Sequence, residues 1–137
     1  YDGANIEILE AAGAENFFLF GLRVEDIPAY RATHSPNVII ENDGDLKRVM
    51  HLLEAGHFNL FEPNLFDPIV HAVRNEYDPW MVAADFRAYI DTQQKAIETY
   101  QDRDAWTRMS ILNSAASGVF SSDRTIAEYA RDIWHIL

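Results

Sequence analysis

The residues able to do chemistry are few and scattered. Asp2-Gly3-Ala4-Asn5 has turn composition and stands immediately before an apolar-periodic run. If a parallel strand ended just ahead of it, this turn would lie at the strand's carboxyl end and at a helix N-terminus. Ligands of open α/β sheets bind there, where free N–H groups attract anions. The same four residues also read as an ordinary strand-to-helix turn. His34, His51, His57, His71 and His135 form no His-x-x-x-His pair with a carboxylate partner, so their spacing does not indicate a metal. They read as surface or half-buried histidines. Glu25-Asp26, Asp43 with Asp45, and Asp102 with Asp104 are close in sequence. A glycosidase needs two acids held apart across a cleft, and neighbours in loops and first turns are better read as caps and helix-dipole partners. Ser121-Ser122-Asp123-Arg124 could accept a phosphate, but an N-cap followed by a first-turn acid explains it more simply. No nucleophile-elbow, P-loop or dinucleotide fingerprint occurs.

The elements that would position these residues follow from composition and periodicity. The chain has 137 residues, 48% of them hydrophobic, enough for one globular domain or a piece of one. Eleven basic against 22 acidic residues give a formal charge of −11, which disfavours nucleic acid and anionic lipid as partners. There is no cysteine, so neither a disulfide framework nor a thiol nucleophile is available. The sequence opens on Tyr1, consistent with a processed product or a piece of something longer.

The spacing predicts a helix over 4–12 ending at Gly13, a short helix over 26–32 with Pro28 in its first turn, and a helix over 45–55 ending at Gly56. Residues 35–44 read as a loop. A further helix is expected from Asp67-Pro68, then a short extended piece over 80–83. Three helices close the chain, at about 86–100, 105–117 (after Asp104 as N-cap) and 122–135. The last carries the stripe Ile126, Tyr129, Ala130, Ile133 and Trp134. Phe17-Phe18-Leu19-Phe20 shows no alternation, the mark of a strand apolar on both faces, as in a parallel sheet beneath helices. Such a strand cannot satisfy its own N–H and C=O groups, so its sheet neighbours are expected elsewhere in a longer protein. The competing reading is a compact helical or α+β domain with 17–20 in a buried helix.

Five blocks then resemble, in order and spacing, the end of the α-glucan (glycogen, starch and maltodextrin) phosphorylases. They are Asp-Gly-Ala-Asn-Ile-Glu (2–7), Glu-Asn-Phe-Phe-Leu-Phe-Gly-Leu-Arg-Val-Glu-Asp (15–26), Ala-Asp-Phe-Arg-Ala-Tyr (84–89), Trp-Thr-Arg-Met-Ser-Ile-Leu-Asn (106–113) and Phe-Ser-Ser-Asp-Arg-Thr-Ile (120–126). The resemblance spans nearly the whole chain. It departs at Val119, where many relatives carry a basic residue, and at Ala116, where some carry a more polar one.

The resemblance implies an α/β fold: residues 1–137 would be the C-terminal part of a GT-B, Rossmann-like glycosyltransferase domain, mostly helical with one or two parallel strands. It implies a cytoplasmic parent enzyme, a homodimer, that phosphorolyses terminal α-1,4-linked glucose with orthophosphate to glucose 1-phosphate. Pyridoxal 5′-phosphate would be held by a lysine shortly before the Asp2 block, so no catalytic or cofactor-binding residue carries over. Asp2, Gly3, Ala4 and Asn5 are site-adjacent at most. Lys47 and Lys95 match no cofactor motif. The piece itself is expected to be structural and inactive alone, with Trp106, Tyr129 and Trp134 as core or interface anchors. A self-contained acidic helical interaction module is the alternative.

Overall fold

The computed structural model describes residues 1 and 3–136. These residues fold as two compact units, one made of 1–19 with 92–137, the other of 20–91. Eight α-helices occur among them: α1 Ala4–Ala12, α2 Ile27–Arg31, α3 Pro36–Asn42, α4 Gly44–Glu54, α5 Asp67–Arg74, α6 Val82–Gln101, α7 Arg103–Ala116 and α8 Ser122–Glu128, the last continued by a π-helix over Tyr129–Ile133.

In the unit of residues 20–91, α3, α4 and α5 close around one core. Ile40, Leu46, Met50, Val70 and Ala83 are buried, with Ile39, Leu53, Val73 and Phe86 packed against them. The spacing explains the packing. Leu46, Met50 and Leu53 fall on one face of α4, at separations of four and three. Asp43 caps α4, its Oδ1 accepting the N–H groups of Asp45 (3.1 Å) and Leu46 (3.0 Å). Four carboxylate–arginine and carboxylate–lysine pairs trim the outside: Arg74 with Glu54, Lys47 with Glu41, and Arg87 with both Asp43 and Asp45.

The unit of 1–19 and 92–137 sets α1 against α7. Asn16 is buried at their junction; its Nδ2 donates to the carbonyl of Ala12 (2.8 Å), and its own carbonyl accepts from Asn113 Nδ2 (3.4 Å). Phe18 stacks with Trp106, which Tyr100 meets edge-on at 5.0 Å. Arg103 lies over the Tyr100 ring at 4.6 Å, a cation–π contact.

Five expectations need correction. No strand occurs among the described residues. Residues 17–20 form neither a strand nor a helix: the backbone at Phe17 is extended, but no ladder partner exists among the described residues. Phe17, Phe18 and Leu19 are half-buried and Phe20 is exposed. Residues 80–83 are not extended either, because Met81 takes φ +53° and α6 begins at Val82.

Residues 35–44 hold a helix, α3. Pro36 occupies its first turn, where a missing N–H costs nothing, and Asn42 Nδ2 bonds back to the Val38 carbonyl at 2.9 Å, so neither residue breaks it. Finally, Asp102 and not Asp104 caps α7, accepting the Ala105 N–H at 3.0 Å. The closing helix also departs from its expected stripe: Ala130 is buried, whereas Ile126, Tyr129, Ile133 and Trp134 are exposed. Trp134 retains 51% of its surface and is no core residue within this chain.

Candidate functional site

Asp2 lies outside the described residues. Gly3, Ala4 and Asn5 are exposed at the start of α1, with Gly3 at φ +50° and its carbonyl accepting the N–H groups of Ile6 (2.9 Å) and Glu7 (3.1 Å). The left-handed φ explains why glycine stands there. The sequence-level geometry of a turn opening a helix is therefore present. Gly3 is the N-cap residue and has no side chain of its own to cap the helix.

The unit of 1–19 and 92–137 has a cleft of ≈ 380 Å³ lined chiefly by Asn16, Phe17, Phe18, Trp106, Met109 and Asn113. That volume reaches the low end of ligand sites, but the lining carries no acid, base or cation. It can hold an apolar group; it cannot move a proton.

The carboxylate pairs behave as caps and clamps. Asp43 and Asp45 share the Arg87 guanidinium: Nε to Asp43 Oδ2 at 2.8 Å, Nη2 to Asp43 Oδ1 and Asp45 Oδ2 at 2.7 Å each. The hydrogen bond from Arg87 holds the Asp43 carboxyl below its ordinary range, and Asp43 in turn raises Arg87. Both carboxylates of this pair are thus committed to one arginine. Glu25 and Asp26 are exposed within a 3₁₀ turn over Val24–Asp26. Ser121 caps α8, its Oγ accepting the Arg124 N–H at 3.3 Å, as its sequence suggested.

Of the histidines, His51, His57, His71 and His135 are exposed, as expected. His34 is the exception. Its Nε2 lies 3.1 Å from Asp78 Oδ2, and both side chains are 1% exposed. A separation of 44 residues hides this pair from any reading of local spacing. Among the described residues, no group of three or more His, Asp or Glu side chains is placed to hold a metal ion. No helix among them is long and apolar enough to cross a membrane.

A family model described as carbohydrate phosphorylase matches residues 1–136. The chain belongs to the carbohydrate phosphorylase family. The similarity extends to individual members. A glycogen phosphorylase of Synechocystis is 48% identical over 136 residues, one of Chlamydia pneumoniae 45% over 135, and the muscle form of Mus musculus 43% over 136. Each alignment covers 98% of this chain but 16% of the relative. This carbohydrate phosphorylase chain therefore spans about a sixth of the length of the relatives it matches.

The pyridoxal phosphate that the resemblance implied does not fit the residues described. Its Schiff base needs a lysine facing a pocket. Lys47 pairs with Glu41 at 2.8 Å with both side chains about half exposed, and Lys95 stands on the open face of α6. Neither meets the requirement.

Proposed function

We propose that this chain is a structural part of an α-glucan phosphorylase whose whole protein phosphorolyses terminal α-1,4-linked glucose with orthophosphate to glucose 1-phosphate. One observation carries the reading: 43–48% identity to proteins named glycogen phosphorylase, sustained over 98% of the chain. In this reading the parent has the GT-B architecture, holds pyridoxal 5′-phosphate on a lysine outside these residues, works in the cytoplasm and is a homodimer. Residues 1–137 complete its C-terminal domain, and the α6–α8 helices pack that domain.

Two features support a structural role. Residues 17–20 are apolar and start from an extended Phe17, with no ladder partner among the described residues, as an inner strand separated from its sheet would be. The closing helix leaves Ile126, Tyr129, Ile133 and Trp134 open, a stripe that further polypeptide can cover.

The test is direct. The whole parent protein, supplied with a maltooligosaccharide and orthophosphate, is expected to release glucose 1-phosphate, read by a coupled dehydrogenase assay. The 137-residue chain alone is expected to release none. A parent without phosphorolytic activity, or turnover by the chain alone, would overturn the assignment.

A further inference from the structure

A polar clasp joins the α2–α3 junction to the turn that precedes α6. Arg31 Nη1 donates to the carbonyls of Tyr77 (3.2 Å) and Asp78 (3.3 Å), and Nη2 to that of Pro79 (3.3 Å). Beneath it, His34 meets Asp78, whose other oxygen accepts the Trp80 N–H at 3.3 Å. His34 Nδ1 is buried with no hydrogen-bond partner among the described residues.

The turn held by this clasp leads straight into a strained residue. Met81 is 1% exposed and sits at φ +53°, a left-handed conformation that non-glycine residues keep only where their surroundings enforce it. Its carbonyl accepts the Asp85 N–H at 3.0 Å, opening α6. Asp85 then reaches across 63 residues of sequence, its Oδ1 accepting the Leu22 N–H at 2.8 Å. At Gly21, φ is +93° and a Cβ would stand 2.7 Å from Asp85 Oδ2. The carboxylate and the Gly21–Leu22 corner are therefore fitted to each other.

We propose that Arg31 and His34 are positioning residues for the Gly21–Leu22 corner, acting through the 75–81 turn, Met81 and Asp85. The clasp keeps Met81 left-handed. Met81 sets where α6 starts, and that start places the Asp85 carboxylate against the corner. Releasing the clasp lets Met81 relax, and the first turn of α6 carries Asp85 away from Leu22. The device is a mechanical linkage within residues 20–91, and it operates whatever substrate the parent takes.

Hydrogen exchange of the full-length parent, followed by mass spectrometry, tests it. Asp85→Ala removes the acceptor and sets the ceiling for exchange in the peptide 20–24. His34→Ala and Arg31→Gln are expected to raise exchange in 75–85 and also in 20–24, each by roughly three- to tenfold. The peptide 44–54, in the α4 core, should be unchanged. Combining His34→Ala with Asp85→Ala should add nothing at 20–24 beyond Asp85→Ala alone. Loosening of 75–85 with 20–24 unchanged would overturn the linkage, as would an equal rise in 44–54. Arg31 is exposed, so Arg31→Gln leaves no cavity and keeps the comparison available should His34→Ala fail to fold.

Discussion

Trp134→Ala separates two ways the closing helix can be used. Within this chain the ring keeps 51% of its surface exposed, with Tyr129 against it at 5.8 Å between centroids. A fully buried aromatic ring removes 150–250 Å² from water, so half of that, at about 25 cal/mol per Å², is worth roughly 2–3 kcal/mol. Truncation at an open site adds little cavity cost, because neighbours and water can fill the space. Complete burial under further polypeptide raises the loss to about 3–5 kcal/mol.

The measurement is chemical denaturation of the parent protein and its Trp134→Ala variant, following the C-terminal transition, with Trp134→Phe as a control that keeps an aromatic ring. If the rest of a phosphorylase covers this stripe, the alanine variant should lose the larger amount and the phenylalanine variant much less. A loss of no more than about 2–3 kcal/mol for Trp134→Ala, which the half-exposed ring already accounts for, would show the ring still open in the parent. The idea that α8 and its π-helical extension are buried by other parts of the protein would then fail.

Met50→Ala strikes the centre of the α3–α4–α5 core, where the side chain is 1% exposed, and should cost about 2–5 kcal/mol in urea titration, against under 1 kcal/mol for Val49→Ala on the exposed side of α4. Gly21→Ala should destabilise by about 1–3 kcal/mol, because φ is +93° and the new methyl group meets a carboxylate already engaged with Leu22; a thermal melt unchanged from the parent would refute it. Asp43 has a folded-state pKa below its ordinary value of 3.8, owing first to Arg87. Its stabilisation is therefore present above that value and lost as pH falls through the lower, folded one. Melting temperature should drop with acid in that window, and Asp43→Asn should flatten this part of the profile.

Helices announced by their own periodicity and punctuation were legible. α1 and its Gly13 end, α4 and its apolar face, and α8 with Ser121 at its start all follow from residues three or four apart. What local pattern could not supply was of three kinds. Pro36 and Asn42 carry turn chemistry, so α3 reads locally as a loop, yet one sits where a helix tolerates proline and the other bonds back along its own helix. His34 with Asp78, and Asp85 with Leu22, are long-range pairs that only the folded backbone brings together. Phe17–Phe20 has the composition of an inner strand, but a strand is a property of its neighbours, and those are not among the residues described. The candidate site fared similarly: the Gly3 turn was readable, whereas the uncharged lining of the cleft around Asn16, Phe18 and Trp106 was a matter of packing.

The five residues Tyr129–Ile133 are wound as a π-helix, with the Trp134 N–H bonded to the Tyr129 carbonyl at 2.9 Å. Such a turn takes one residue more than an α-helical turn, and each residue of an α-helix advances the chain by about 100°. The surplus residue is thus taken up by wider winding. Deleting a single residue there would return the segment to ordinary pitch and leave Trp134 near its present azimuth, because one α-helical turn rotates the chain about as far as one π turn. A one-residue length difference at this place between phosphorylases would then be absorbed by the backbone without redirecting the last side chains.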